Sequence, residues 1–205
     1  MRVFQVEDAW SMENVRMSSR PDPPIDAGQV RLRMKASAVN YRDLLVPSRG
    51  YGSRMKALPL IMLSDGCGVV ESAGEGATRF KPGDRVCPLF FQTWRSGGPN
   101  PRRLALSLGS ELDGTMAEFM AIPEEGVALA PAHLDDVEAA SLPTAAVTAW
   151  RALVTEGRTK PGDKVLLQGT GGVSLFALQF AKMLGAYVIV TSSSDEKLAK
   201  VRAMG

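Results

Sequence analysis

Apolar and polar residues alternate in short runs through the amino-terminal half of the chain. Between residues 29 and 39 every second residue is apolar, whereas Arg31, Arg33 and Lys35 occupy the alternate positions. This period of two predicts a strand with one buried face and one solvated face. Comparable runs, separated by turns rich in Gly and Pro, predict further strands at residues 64–71, 114–122 and 126–130. Many short strands with turns predict a mainly β, barrel-like domain.

The pattern changes in the last third of the chain. Residues 134–141 and 145–155 have helical spacing, with an interruption predicted at Pro143. An apolar run at 165–167 then predicts a buried strand, followed by a glycine-rich turn, a helix and a second strand at 187–190. The order of strand, glycine turn, helix and strand is typical of the first half of a dinucleotide-binding βαβ unit.

The glycine turn suits phosphate binding. Gly169 and Gly171 allow close backbone approach, and the N–H groups from Gly172 onward begin a helix whose dipole favours an anion. We therefore expect Gly169, Gly171, Gly172 and Val173 to hold a pyrophosphate. Ser174 stands where the third glycine of G-x-G-x-x-G is usual, and it keeps a small side chain there. The alternative is a glycine-rich turn that binds no ligand.

The residues after the second strand indicate which cofactor binds. NAD-binding units usually place an acid there for the ribose 2′-hydroxyl, but this chain has Ser192 and Ser193. Their hydroxyls can donate to a 2′-phosphate, and Lys197 adds a positive charge. We therefore predict NADPH, that is NADP, as the cofactor. A second role is compatible with this one, because Ser194 can cap a helix whose first turn contains Asp195.

Composition and charge exclude several classes of function. The chain has 205 residues, of which 45% are hydrophobic and 22% charged, and its net charge of +2 gives no reason to expect nucleic acid or membrane binding. We expect a small-molecule substrate instead. Two cysteines fit a cytoplasmic protein without a disulfide framework, and no signal-peptide pattern opens the chain. A single histidine argues against a His-rich metal site or a Ser-His-Asp triad.

Several motifs occur in an order that resembles the medium-chain dehydrogenase/reductase superfamily, especially its zinc-free quinone-oxidoreductase-like branch. This resemblance covers the whole chain and implies an α/β fold class, with a mainly β GroES-like catalytic domain followed by a Rossmann domain. We expect the first at residues 1–130, and the connecting helices plus the first βαβ half of the second at 131–205. The motifs are Asn40-Tyr-Arg-Asp43, Gly66-x-Gly-x-Val-Glu-x-x-Gly-x-Gly76, Lys81-Pro-Gly-Asp-Arg-Val86, Leu142-Pro-Thr-Ala-Ala-Val-Thr-Ala-Trp150 and Gly169-x-Gly-Gly-Val173.

The resemblance also implies that zinc is absent. Zinc-dependent relatives bind a catalytic metal through Cys, His and Cys, and the matching positions here are Asn40, Ser64 and Thr144. Their structural-zinc lobe has four cysteines, whereas residues 92–113 contain none. Without a Lewis acid, the expected hydride acceptor is a quinone or α,β-unsaturated carbonyl, because conjugation spreads the developing charge.

By the same resemblance, Asn40 and Thr148 lie near the nicotinamide end of the cofactor, while Tyr41 and Asp43 line the substrate cleft. Tyr41 or water would supply the proton, although a tyrosine at a strand end can equally be structural. Two alternatives remain open, namely an alcohol dehydrogenase-like oxidoreductase and a non-catalytic NADPH-binding protein.

The length predicts an incomplete second domain. A doubly wound domain has about six strands, and only two are predicted here. We expect the parent enzyme to be a homodimer, and residues 1–205 alone to bind NADPH weakly and to show no turnover.

Overall fold

The computed structural model describes residues 1–50 and 54–205. These residues form two compact units, Met1–Pro143 and Thr144–Gly205. Within the described residues, no helix combines the length and apolar character needed to cross a membrane. The fold class is the expected one, since a unit dominated by strands precedes a unit in which helices and parallel strands alternate.

The first unit is built from two antiparallel sheets. One has the strand order β7-β3-β5-β6-β8 and the other the order β2-β1-β4. Two short helices, α1 (Arg42–Leu45) and α2 (Asp136–Ala140), accompany them. The strands are β1 (Arg2–Val6), β2 (Val15–Ser19), β3 (Gln29–Ala38), β4 (Leu60–Ile61), β5 (Asp65–Ala73), β6 (Arg85–Pro88), β7 (Phe119–Pro123) and β8 (Val127–Leu129).

Strand β3 lies between β7 and β5 in the larger sheet and follows its predicted alternation. Val30 and Leu32 are fully buried in the core cluster of this sheet. Arg31 and Arg33, on the opposite face, both form ion pairs with the Glu71 carboxylate of β5. The period of two therefore predicted both the core face and the charged face of this strand.

The strand predicted at 114–122 is shorter than expected. Only β7 is a strand, and the residues before it bond to β4 and the chain that follows it, where Gly114 N donates to Ile61 O at 2.9 Å and Thr115 N to Leu63 O at 3.1 Å. A Cβ at Gly114 would lie 2.0 Å from Leu63 O. The segment is thus held by a close backbone approach that only glycine permits.

Pro143 lies where regular α-helical bonding is interrupted, as the sequence predicts. Between α2 and α3 (Val147–Trp150) the chain forms a π-helical turn, Leu142–Ala146, that contains this proline. A second π-helical stretch, Arg151–Glu156, follows α3. Because a π turn omits the usual i to i−4 bonds, the missing N–H of proline is tolerated there.

The second unit contains the predicted strand, turn, helix and strand. Strands β9 (Lys164–Gln168) and β10 (Tyr187–Thr191) are parallel and in register, with α4 (Gly172–Met183) between them in sequence. Helix α5 (Asp195–Ala203) comes last. Its N-cap is Ser194, whose Oγ accepts from Lys197 N at 3.3 Å, so the capping prediction is confirmed. The buried core of this unit comprises Ala149, Leu153, Leu167, Ala177, Leu178, Ala181 and Val201.

Candidate functional site

The predicted phosphate-binding turn joins the end of β9 to the start of α4. Gly169 has φ +84°, in the left-handed region where a side chain is strained, and its N–H donates to Thr191 O at 2.9 Å. Gly171 is the N-cap of α4 and, as a glycine, makes no side-chain capping bond. The first N–H groups of α4 are therefore available to a ligand.

The turn is open around its glycines. A Cβ placed on Gly169 or Gly171 would meet no atom of the described chain within 4 Å. At Gly172 the nearest atom would be Ala145 Cβ at 3.6 Å, an ordinary contact. Val173 is half exposed at 42%. An open cradle of small residues at a helix N-terminus is the arrangement that binds pyrophosphate in dinucleotide-binding units.

The predicted ribose-binding residues lie at the same edge of the sheet as this turn. Gln168 and Thr191 end their strands as directly paired residues of the parallel sheet. The glycine turn and Ser192 therefore leave the sheet side by side at its carboxyl edge, where open α/β sheets bind their ligands. The geometry brings together the two groups of residues that the sequence assigned to one cofactor.

The side chains after β10 keep hydrogen-bonding groups and charge that a ligand could use. Ser192 Oγ accepts from Ser194 N at 3.2 Å and keeps its own proton for donation. Ser193 and Lys197 are exposed. One nearby acid, Glu196, is paired with Lys200 Nζ at 2.8 Å.

Thr148 lies in α3 of this second unit and is exposed. It is three residues after Ala145, which contacts the start of α4, so about one helical turn separates Thr148 from that contact.

The other predicted site residues belong to the first unit, where β3 leads into α1. Asn40 N donates to Asp43 Oδ2 at 2.7 Å, and Asp43 N donates to Asn40 O at 3.0 Å. These reciprocal bonds close a tight turn in which the buried Asp43 carboxylate fixes the Asn40 backbone. Tyr41, between them, is 78% exposed. The structure therefore brings Asn40 and Asp43 together and leaves the Tyr41 ring at the surface.

Burial dominates the electrostatics of Asp43. Desolvation raises the pKa of its carboxyl above the ordinary value, although the Asn40 N–H and the Arg42 guanidinium act in the opposite direction. The neighbouring Asp65 raises the pKa further. Asp43 therefore ionises less readily than an exposed carboxyl.

Sequence reasoning did not single out the charged groups around this turn. Arg42 is 5% exposed, its Nη1 donates to Leu108 O at 3.2 Å, and its guanidinium lies 4.9 Å from the centre of the Phe90 ring. Asp65 is fully buried and accepts from Ser64 Oγ at 3.3 Å. The available signal was the adjacent opposite charge of Arg42 and Asp43 within a short helix.

Two buried polar atoms at this turn have no hydrogen-bond partner among the described residues. They are Asn40 Nδ2, a donor, and Asp43 Oδ1, an acceptor that lies 3.5 Å from Arg42 Nη1 in an ion pair. Buried donors without partners are uncommon in folded proteins, and a bound ligand is one common reason for them. The Asn40 amide is thus suited to donate to an oxygen of a substrate or cofactor.

Two of the positions expected to match zinc ligands carry groups that zinc seldom uses. Asn40 presents a neutral amide, and the Ser64 hydroxyl is bonded to Asp65, whereas zinc prefers thiolate, imidazole and carboxylate. Throughout residues 1–50 and 54–205, no three side chains of His, Cys, Asp or Glu form a group that could hold a metal.

Comparison with known proteins identifies matches to both units. The family model of the alcohol dehydrogenase GroES-like domain matches residues 26–132. A zinc-type alcohol dehydrogenase-like protein of Schizosaccharomyces pombe is 42% identical over 183 residues, which is 88% of this chain and 53% of that protein.

Solved structures match the whole of the chain. A protein of Sinorhizobium meliloti 1021 has a TM-score of 0.93 and 42% identity, covering 100% of this chain and 60% of that one. A quinone oxidoreductase of Pseudomonas syringae pv. tomato DC3000 has a TM-score of 0.80 and 29% identity, covering 100% and 56%. The chain thus spans between 53% and 60% of the length of these three proteins.

Proposed function

The chain belongs to the medium-chain dehydrogenase/reductase superfamily, and from this premise we propose that the protein is a zinc-independent, NADPH-dependent oxidoreductase. Its proposed hydride acceptor is a quinone or an α,β-unsaturated carbonyl compound. We assign residues 1–130 to the catalytic domain and 131–205 to the connecting helices and the first half of the dinucleotide-binding domain. We further propose a cytoplasmic homodimer with a small-molecule substrate.

One observation supports the cofactor most directly. Gly169, Gly171 and Ser192 leave adjacent, paired strand ends, so a pyrophosphate on the glycine turn would place the adjoining ribose toward Ser192 and Ser193. These hydroxyls can donate to a 2′-phosphate, and Lys197 can supply a charge to it, whereas a carboxylate at the same place would repel it. When bound, NADPH supplies the hydride that reduces the substrate.

The residues of the first unit support the type of acceptor. Asn40, fixed by Asp43, offers an unused amide donor, and Ser64 offers no metal ligand. A hydrogen-bond donor stabilises an oxyanion less strongly than a Lewis acid does. This weaker stabilisation is sufficient more readily when conjugation spreads the negative charge over the substrate. Tyr41 remains a candidate proton donor because its exposed hydroxyl is free to meet a substrate. The similarity to a quinone oxidoreductase agrees with this choice.

The similarity to a zinc-type alcohol dehydrogenase-like protein favours a second candidate, an alcohol dehydrogenase-like activity. Under this alternative the protein would oxidise a simple alcohol with NADP⁺. Other groups would then have to take the place of the metal ligands that the chain lacks at Asn40 and Ser64. A third candidate, a non-catalytic NADPH-binding protein, would bind the cofactor without turnover.

A cofactor titration tests the proposal. The whole protein should bind NADPH about tenfold or more tightly than NADH, because each charge-assisted hydrogen bond contributes about 1.5–3 kcal/mol. Ser192→Asp should reverse this order, and Ser192→Ala, the matched control, should weaken NADPH without favouring NADH. Equal affinities for the two cofactors at low salt would contradict the assignment.

A turnover assay then separates the three candidates. NADPH oxidation with a simple quinone or with methyl vinyl ketone supports the first, and NADP⁺ reduction with a primary alcohol supports the second. Tight NADPH binding without turnover of either substrate supports the third.

A further inference from the structure

The two cysteines of the chain face each other across neighbouring antiparallel strands. Strands β5 and β6 pair with Gly68 opposite Val86. One step further along this register, Cys67 of β5 lies opposite Cys87 of β6. Directly opposite residues of an antiparallel pair point to the same face of the sheet. Both thiols are buried, free and packed in the same core cluster.

The hydrogen-bond pattern of the two strands defines the kind of pair that the cysteines form. Val70 N donates to Asp84 O at 2.9 Å across the same two strands. Hydrogen-bonded and non-hydrogen-bonded pairs alternate along such a ladder, so Cys67 and Cys87 occupy a non-hydrogen-bonded pair. Cα atoms at such pairs are about 4.5 Å apart, and disulfides span Cα separations of about 4.4–6.8 Å. The separation expected for such a pair therefore falls within the range that a disulfide spans.

The two sulfurs interact with each other and with α2. A hydrogen bond with the Cys87 thiol lowers the pKa of Cys67, and the same contact raises the pKa of Cys87. Cys67 Sγ lies 3.7 Å from Asp136 Oδ1, and Cys87 Sγ donates to Ala139 O at 3.4 Å. Asp136 and Ala139 both belong to α2, so this helix covers the pair.

We propose that Cys67 and Cys87 are an oxidative modification site that closes to a cross-strand disulfide when the protein meets hydrogen peroxide. The Cys67 thiolate attacks one peroxide oxygen, the O–O bond breaks, and the released hydroxide takes up the proton that Cys67 lost. The Cys87 sulfur then attacks the sulfenic sulfur, and hydroxide leaves with the Cys87 proton as water. Two thiols are oxidised and one peroxide is reduced to two water molecules.

Helix α2 limits the access of peroxide to this site. Cys67 is fully buried and Cys87 is 7% exposed, so peroxide reaches them only when α2 moves. This helix has only five residues, and a capping box stabilises its N-terminus, in which the Asp135 side chain accepts from Glu138 N at 2.8 Å. Removing a cap of this kind should make opening about fivefold more frequent. The oxidation rate therefore depends on the stability of α2.

Intact-mass spectrometry of the folded chain after peroxide treatment tests the proposal. Because the chain has two cysteines, an intrachain disulfide appears as a monomer that has lost two hydrogens and both alkylatable thiols. Reduction with dithiothreitol should restore both thiols. A product in which peptide mapping locates added oxygen on either cysteine, or one that retains both alkylatable thiols at completion, would overturn the proposal.

Variants of the helix caps and of Cys87 test separately the role of α2 and the need for both cysteines. Asp135→Ala should speed disulfide formation about fivefold. Ser194→Ala removes an equivalent cap from α5 in the second unit and should leave the rate unchanged. Equal rates in all three proteins would overturn the role of α2. Cys87→Ser keeps Cys67 without its partner, and peptide mapping should then find added oxygen on Cys67 instead of a disulfide.

Discussion

The turn between Asn40 and Asp43 predicts a sharp difference between two substitutions of one residue. Asp43→Ala removes a carboxylate whose side chain is 3% exposed, together with the acceptor of the Asn40 N–H. Asp43→Asn keeps a side chain of the same shape, with an oxygen that can accept the same hydrogen bond. We expect the alanine variant to lose much more stability than the asparagine variant.

The magnitude follows from the contacts. The charge-assisted bond from Asn40 N is worth about 1.5–3 kcal/mol, and removing one partner of a buried ion pair costs about 3–5 kcal/mol. Arg42 also donates to Leu108 O, so the lower end applies, about 3 kcal/mol for alanine. Asparagine loses the attraction to Arg42 but avoids the burial of a charge, and its net effect should stay within about 1 kcal/mol.

The pH dependence of this difference has a definite sign. The pKa of Asp43 is raised in the folded state, so the folded protein binds a proton here more tightly than the unfolded chain does. The stability that this group contributes is present at low pH and is lost as pH rises from about 4 through the raised pKa. The stability of the wild type relative to Asp43→Asn should therefore fall with rising pH over this window.

Hydrogen exchange of the slowest amides in β3 measures the free energy of opening of the first unit. Asp22→Ala is the matched control, because Asp22 is 52% exposed in an ion pair with the amino terminus, where the loss should be about 1 kcal/mol or less. The reasoning fails if asparagine destabilises as much as alanine. It also fails if the advantage of the wild type over asparagine grows as pH rises.

Three further outcomes are expected. Gly169→Ala, at φ +84°, should destabilise the second unit by about 1–2 kcal/mol in urea unfolding. Gly171→Ala, at φ −78°, should leave the stability nearly unchanged but weaken NADPH binding in a titration. Gly114→Ala would place a Cβ 2.0 Å from Leu63 O and should prevent normal folding, as judged by circular dichroism, while Gly98→Ala, in open space, should be neutral. Elemental analysis of the dialysed protein should find no stoichiometric zinc, and one retained zinc per chain would show that the proposed metal independence is wrong.

The sequence pattern correctly predicted those parts of the fold that are determined by residues close together in the chain. The alternation in β3 identified Val30 and Leu32 as core residues because a strand has a fixed period of two. The glycines after β9 marked the turn because they punctuate the chain between a buried strand and a helix. Neither inference needed a contact between distant segments, and the structure confirms both.

The same reasoning missed what depends on distant segments. Arg42 is buried because its guanidinium bonds to the carbonyl of Leu108, 66 residues away, and stacks near Phe90. No local pattern distinguishes this arginine from an exposed one. The interruption at Pro143 was predicted, but the sequence does not show that it takes the form of a π turn, which removes the bond that proline cannot make.

The departure at Ser174 shows how far the glycine motif can vary. The third glycine of such a motif is usual because helix and strand approach closely there, so any larger side chain needs a compensating contact. Ser174 Oγ donates to Gln168 O at 3.3 Å, the carbonyl that ends β9, and therefore bonds to the strand that it would otherwise crowd. The requirement at this position is a small side chain compatible with a nearby strand end, and serine meets it. The part of the turn that we propose for phosphate binding lies earlier, at Gly169 to Gly172, where the backbone stays open and the motif is intact.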